Sequence, residues 1–189
     1  MMTAEKNLLE GKINELQQQT KSYLLEFKEL IKQLPAKKGV QVISYFTSSF
    51  NISHSPDQES VCLGSFHIWN IGNIPITNPS ITIQLPENSP FSFTGRYITN
   101  HFQQSSKRPN EWLRIKGSDN KEFFSFKPLE KTALEPFEKI TFENFQIKWL
   151  STTPYAGSIT GFTYCEQFPD GIAVLNPINL SVISLEEEE

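Results

Sequence analysis

Cysteine, histidine and aspartate are among the scarce residues of this 189-residue chain, with two Cys, three His and only Asp57, Asp119 and Asp170. That scarcity removes whole classes of chemistry. Cys62 and Cys165 are too far apart in sequence to mark a thiolate cluster and too few for a disulfide framework, so reducing surroundings are expected. None of His54, His67 and His101 lies at a helical spacing that makes a metal pair. His54 and Asp57 share a loop, but nothing nearby supplies a third ligand, and they read as two polar loop residues. A glycine-rich phosphate cradle before a helix, a Gly-x-Ser-x-Gly elbow and a paired-carboxylate motif are all missing. The expectation is a non-enzymatic chain with no catalytic residues, no metal and no cofactor.

Positive charge is also in short supply, with 17 Lys and Arg against 21 Asp and Glu and a net charge of -4. A nucleic-acid binder gathers a basic excess on one face, and Lys37, Lys38, Lys107 and Arg108 are too few to do so. Nor does the chain contain an apolar run of the length that a bilayer or a signal sequence requires. Neither nucleic acid nor membrane is therefore an expected partner. A cytoplasmic location is the default, with incorporation into a coat, appendage or particle as a further setting.

What the chain does have is an amphipathic opening followed by a β-rich body. Leu9, Ile13, Leu16, Thr20, Tyr23, Phe27, Leu30 and Leu34 recur at alternating steps of four and three, the seam of a coiled coil. With Ile13, Thr20, Phe27 and Leu34 at position a and Leu9, Leu16, Tyr23 and Leu30 at position d, Thr20 is the polar member. Leu24 and Ile31 at e widen the apolar face, which suits more than two helices or a helix that also docks elsewhere. Each apolar side chain left in water forgoes roughly 1.5 to 3 kcal/mol, so the stripe calls for a covering surface. Thr3 is placed to cap the helix and Pro35 to end it. Residues 1–38 are thus read as a long amphipathic coiled-coil helix that makes a homo-oligomer, a dimer or trimer, through Leu9, Ile13, Leu16, Tyr23, Phe27, Leu30 and Leu34.

From Gly39 the period changes from helical to alternating. Strands are expected at 40–52, 61–71, 80–85, 91–98, 112–116, 123–126, 139–150, 158–168, 172–175 and 179–185, with turns at Gly117-Ser-Asp-Asn and Pro169-Asp-Gly171. Within 139–150 the alternation loses phase, Ile140 and Phe142 having one parity and Phe145, Ile147 and Trp149 the other. A bulge near Glu143 and Asn144 accounts for that. About ten short strands with no second helix predict a mainly β domain over residues 39–185, an antiparallel sandwich, with a closed barrel as the other solution. Residues 103–110 read as a polar loop and 186–189 as an acidic tail.

Two motifs carry a resemblance. The stretch Trp69-Asn-Ile-Gly-Asn-Ile-Pro-Ile-Thr-Asn-Pro-Ser-Ile-Thr-Ile83 resembles the strand-turn-strand of CARDB-type immunoglobulin-like repeats of bacterial surface proteins. Leu134-Glu-Pro-Phe-Glu-Lys-Ile-Thr-Phe142 is similar to the Leu-x-Pro-Gly-Glu turn of the same modules, with Phe137 where they carry Gly. The resemblance implies an immunoglobulin-like β-sandwich and a non-catalytic interaction module. In the motif itself, Gly72 is expected to supply an unusual backbone angle, Asn70 and Asn73 to bond nearby backbone, and Ile81 and Ile83 to share a face. The placement of Cys62 on an early strand and Cys165 on a late one is similar to the sheet-bridging pair of antibody domains; a disulfide and two buried thiols both fit.

Aromatic residues near strand ends, Trp69, Trp112, Tyr97 and Tyr155, offer one ligand-binding expectation, because such rings stack on sugar faces. Trp112, which follows the polar loop, and Tyr97 are the candidates. The functional expectation is a structural or protein-interaction protein that oligomerises through its helix and presents a β-sandwich head to a protein partner. A carbohydrate- or receptor-binding module of the same fold is the alternative.

Overall fold

The computed structural model describes residues 11–25, 39–53, 55, 57–99, 111–115, 122–150 and 154–182. It divides into two units, Met1–Lys37 and Lys38–Glu189. In the first unit residues 11–25 form helix α1, and every one of them is exposed. This is shorter than the Leu9–Leu34 seam, and among the described residues there is no long coiled coil. Leu9, Phe27, Leu30 and Leu34 lie outside the described residues. Thr20, the polar member of the stripe, donates its hydroxyl to the Leu16 carbonyl one turn back, at 2.8 Å, which keeps its polarity inside the helix.

The second unit is mainly β, built from antiparallel sheets. Its strands are β1 (Val42–Asn51), β2 (Glu59–Asn70), β3 (Ile76–Thr77), β4 (Ser80–Gln84), β5 (Ser92–Thr94), β6 (Trp112–Ile115), β7 (Phe123–Pro128), β8 (Ala133–Leu134), β9 (Lys139–Leu150), β10 (Tyr155–Cys165), β11 (Phe168–Ala173) and β12 (Ile178–Val182). One sheet has the order β1-β2-β9-β5 and another the order β11-β10-β4-β7-β6, with β12 also paired to β10. A two-residue ladder, β3-β8, which alternation is too short to reveal, stands apart. Ile81 and Ile83 are fully buried on one face of β4, as expected.

Large rings fill the space between the two main sheets. Phe93 of β5 stacks on Phe124 of β7 at 4.4 Å, and Phe126 of β7 on Phe142 of β9 at 4.5 Å. Gly161 on β10 makes room for this layer: a Cβ there would sit 2.5 Å from the Phe66 ring and 2.9 Å from that of Phe46. The bulge in β9 lies where the phase shift placed it. Phe66 pairs with Phe142 and Gly64 with Phe145, so Glu143 and Asn144 together oppose Ser65. Asn144 takes the left-handed conformation, φ 57°, which returns Phe145 to the core face.

Two local expectations are corrected. Pro169-Asp-Gly171 is not the turn; it runs within β11, and the chain reverses one step earlier at Glu166 and Gln167. Those two residues are anchored there by the β3 end: the Thr77 hydroxyl and the Asn78 amide donate to the Glu166 carboxylate, and Gln167 exchanges bonds with Thr77. Gly171 does adopt φ 83°, packing against the Tyr164 ring. Gly72 has no left-handed backbone. It is needed because a Cβ would stand 2.6 Å from the Gly39 carbonyl oxygen and 2.7 Å from the Gln41 nitrogen. The angle expected of it occurs instead at Phe137, φ 62°. The Gly117-Ser-Asp-Asn turn, the Gln103–Asn110 loop and the Glu186–Glu189 tail lie outside the described residues.

Candidate interaction surface

Of the residues expected to carry self-association, Ile13, Leu16 and Tyr23 are described, on α1 with their side chains in the open. Ile13 is 47% exposed, Leu16 62% and Tyr23 68%, and Leu24 and Leu25 are exposed as well. Such a stripe can cover and be covered; it holds no reactive group.

The ring expected to meet a ligand does the opposite. Trp112 is 4% exposed, packed edge-on against Phe142. Its indole N–H donates to the Thr141 carbonyl at 3.0 Å. The physical reason is the brevity of β5, which pairs with β9 at Ser92–Thr94 and leaves the Thr141 carbonyl without that strand beside it. A partly buried carbonyl left without a donor is costly, and the indole supplies one. A small cleft of about 280 Å³ beside it is lined by Trp112, Pro128, Lys131, Ile140 and Thr141, among others. Lys131 is already ion-paired with Glu138, and that contact holds the Glu138 carboxyl below its usual range.

Tyr97 is half-buried on Phe126, and its phenol oxygen accepts a bond from Arg114 at 3.3 Å while the guanidinium lies over Tyr97 and Phe124. Of the aromatic set only Trp69 is exposed, and its indole N–H is bonded to the Phe137 carbonyl. Tyr155 packs edge-on against Phe91 and Trp149. No open platform of rings forms from these four.

His67 lies on the outer face of the β1-β2-β9-β5 sheet, stacked on Tyr45 at 4.7 Å. Its Nε2 is 2.9 Å from the Thr47 hydroxyl and its Nδ1 3.0 Å from that of Thr141. Partial burial, aided by the Lys139 charge, pushes its pKa down. Both ring nitrogens are engaged with neutral hydroxyls, which suits a tether between strands. His54 and His101 lie outside the described residues. Cys62 and Cys165 are both buried free thiols, and burial pushes Cys62 up to about 11, far from a reactive thiolate. Among the described residues no three His, Cys, Asp or Glu side chains come together as a metal site. Among them, too, no helix is long and apolar enough to cross a membrane.

One feature of the β unit was invisible to sequence reasoning. β1 is the edge strand of its sheet, and part of its free side is filled by the loop between β11 and β12. The Asn176 amide accepts from the Phe46 N–H at 2.9 Å and donates to the Phe46 carbonyl at 2.8 Å, while the Leu175 N–H reaches the Ser44 carbonyl at 2.8 Å. One side-chain amide therefore imitates a strand partner. The contact links residues 130 positions apart, and no local pattern announces it.

No family model matches the chain, and no curated protein does. Among solved structures, similarity is found to the exo-β-N-acetylglucosaminidase of glycoside hydrolase family 20 from Vibrio harveyi, at 10% identity and a TM-score of 0.32. That alignment covers 78% of this chain and 19% of the enzyme. A cohesin module from the family 33 glycoside hydrolase of Clostridium perfringens aligns over 75% of this chain and 96% of the module, at 9% identity and a TM-score of 0.37.

Proposed function

We propose that the protein is a non-enzymatic interaction protein whose α1 stripe self-associates and whose β unit is an immunoglobulin-like sandwich head that meets a protein partner. The observation that carries this reading is the exposure of Ile13, Leu16 and Tyr23, three large apolar residues spaced along one helix. Covering them with copies of the same helix recovers hydrophobic free energy that a solvated helix lacks. Gathering heads in this way multiplies weak contacts through effective concentration. Two sheets that share one aromatic core support the sandwich assignment. The left-handed backbone at Phe137, where the CARDB-type turn carries Gly, supports the likeness to that turn.

Sedimentation of the full chain across a concentration series tests the proposal. The double variant Leu16→Glu, Tyr23→Glu is expected to lower the mass of the assembly by at least one step without changing the unfolding of the β unit, since the charges enter only the helical stripe. An unchanged mass distribution overturns it.

A further inference from the structure

We infer that the second half of β1 is a homotypic pairing edge, joining the sheet to the same strand of a second copy in antiparallel order. β1 pairs with β2 without a register break from Val42 to Asn51. Backbone groups on such a strand alternate between the partner side and the free side. Ser44 and Phe46 turn theirs to the free side, where Leu175 and Asn176 meet them. Ser48 and Phe50 have the same parity, and no described residue fills the edge there. Among the described residues the plug therefore stops halfway, leaving two N–H and two C=O groups aligned along an exposed strand.

Those groups specify what fits: another extended backbone, since only a strand offers donors and acceptors at that repeat. The side chains favour a copy of this chain as the source. From Val42 to Ser53 there is no charged residue and no proline, the two devices that usually blunt an edge. Antiparallel self-pairing about a two-fold axis at Ser49 sets Ser48 opposite Phe50 of the second copy and Phe50 opposite its Ser48. All the free groups of both strands are then used, and no like charges meet. Phe50, 46% exposed, lies diagonal to Phe50 of the second copy, within reach of ring contact. The Asn176 plug of each copy ends the ladder beyond Phe46 and so limits the register. This edge is distinct from the α1 stripe and does not depend on it.

The test uses the full-length Leu16→Glu, Tyr23→Glu variant, in which the helical contact is disabled. A dimer is expected to remain at high concentration. Adding Phe50→Lys, which places like charges across the axis, or Ser48→Pro, which removes two of the four bonds without touching the β1-β2 ladder, is expected to weaken that dimer by about tenfold or more. Circular dichroism checks that the fold is intact, and Phe50→Lys keeps the test open if Ser48→Pro does not fold. With Ser49→Cys the two copies are expected to cross-link on oxidation, because the paired Cβ atoms are close across the axis. A helix variant that is monomeric at every concentration overturns the inference, as does a dimer indifferent to Phe50→Lys. Either result leaves the helical proposal standing, which fails only if the helix variant is unchanged in mass.

Discussion

The β unit closes a core of rings off from water, whereas every described residue of the helical unit is exposed. In the β unit Phe66, Phe126, Phe142 and Phe145 are wholly buried, each held by other rings of the same unit. On α1 the apolar residues stand open, Leu16 and Tyr23 more than half exposed. If the proposed self-association holds, the difference separates what the chain needs in order to fold from what it needs in order to meet another copy. Phe142→Ala is accordingly expected to have the largest effect on stability, about 3 to 5 kcal/mol lost from the unfolding free energy in urea. Leu16→Ala should leave that free energy unchanged while weakening association. Comparable losses from both substitutions would erase the distinction.

A second contrast concerns polar residues. Asn70 is fully buried, and its amide donates to the carbonyls of Ile74, Leu134 and Glu135 while accepting from the Gly72 N–H. This one side chain ties the end of β2 to the turn after it and to the end of β8. Asn70→Ala removes the four bonds of a fully buried amide, with the Gly72 N–H still held by the Gln41 carbonyl, and a loss of about 1 to 3 kcal/mol is expected from the same urea titration. Thr20→Ala on α1 removes only a bond made within an exposed helix and substitutes a better helix former, so no loss is expected. A small cost for Asn70→Ala would mean that water reaches the turn.

What could be read in the sequence follows the range of the forces involved. The bounds of β9, and its bulge, were legible because Phe145, Ile147 and Trp149 change parity within a few residues, and parity is set by the core they face. The Asn70 turn was legible in part, since its bond to Gly72 is local; its bonds across to β8 were not. Trp112 misleads because a tryptophan after a polar loop looks like a surface ring until the unpaired Thr141 carbonyl is seen beside it. Pro169 and Gly171 are strong turn residues, yet the bonds from Thr77 and Asn78 fix the reversal at Glu166. Of the candidate surface, the helical stripe was visible as a period. The half-filled edge of β1 was not, because Asn176 finds Phe46 only through the fold.

Acid should widen the comparison between inner and outer faces of the β unit by a smaller amount. His67 has its pKa lowered in the fold, mainly by burial, so the unfolded chain binds its proton first. The stability that this contributes is present above the unfolded value near 6.5 and is lost as pH falls from there toward the lower folded value. Glu138 and Glu166 are also lowered, by bonds from Lys131 and from Thr77 and Asn78 respectively, and their contribution is lost in a separate window below about 4.5. Thermal unfolding followed from pH 7 downward should show both steps, and His67→Gln should remove the upper one alone. A variant with the same slope between pH 7 and 5 as the parent would assign that step to another group.

A small gain is expected at Phe137, a large apolar residue of the β unit that stands open as those of the helix do. It is 69% exposed and has φ 62°, a conformation that costs a side-chain-bearing residue roughly 1 to 2 kcal/mol. Its backbone is held there by bonds from its N–H to the Asn70 carbonyl and from the Trp69 indole to its own carbonyl. Glycine would keep both bonds and relieve the strain, against a greater loss of chain entropy on folding. A gain of up to about 1 kcal/mol is therefore expected for Phe137→Gly in urea, with no change in assembled mass. If the substitution instead lowers the mass, the exposed ring belongs with Leu16 and Tyr23 as a contact residue, and the β unit has a contact site at the Phe137 turn as well as at the β1 edge.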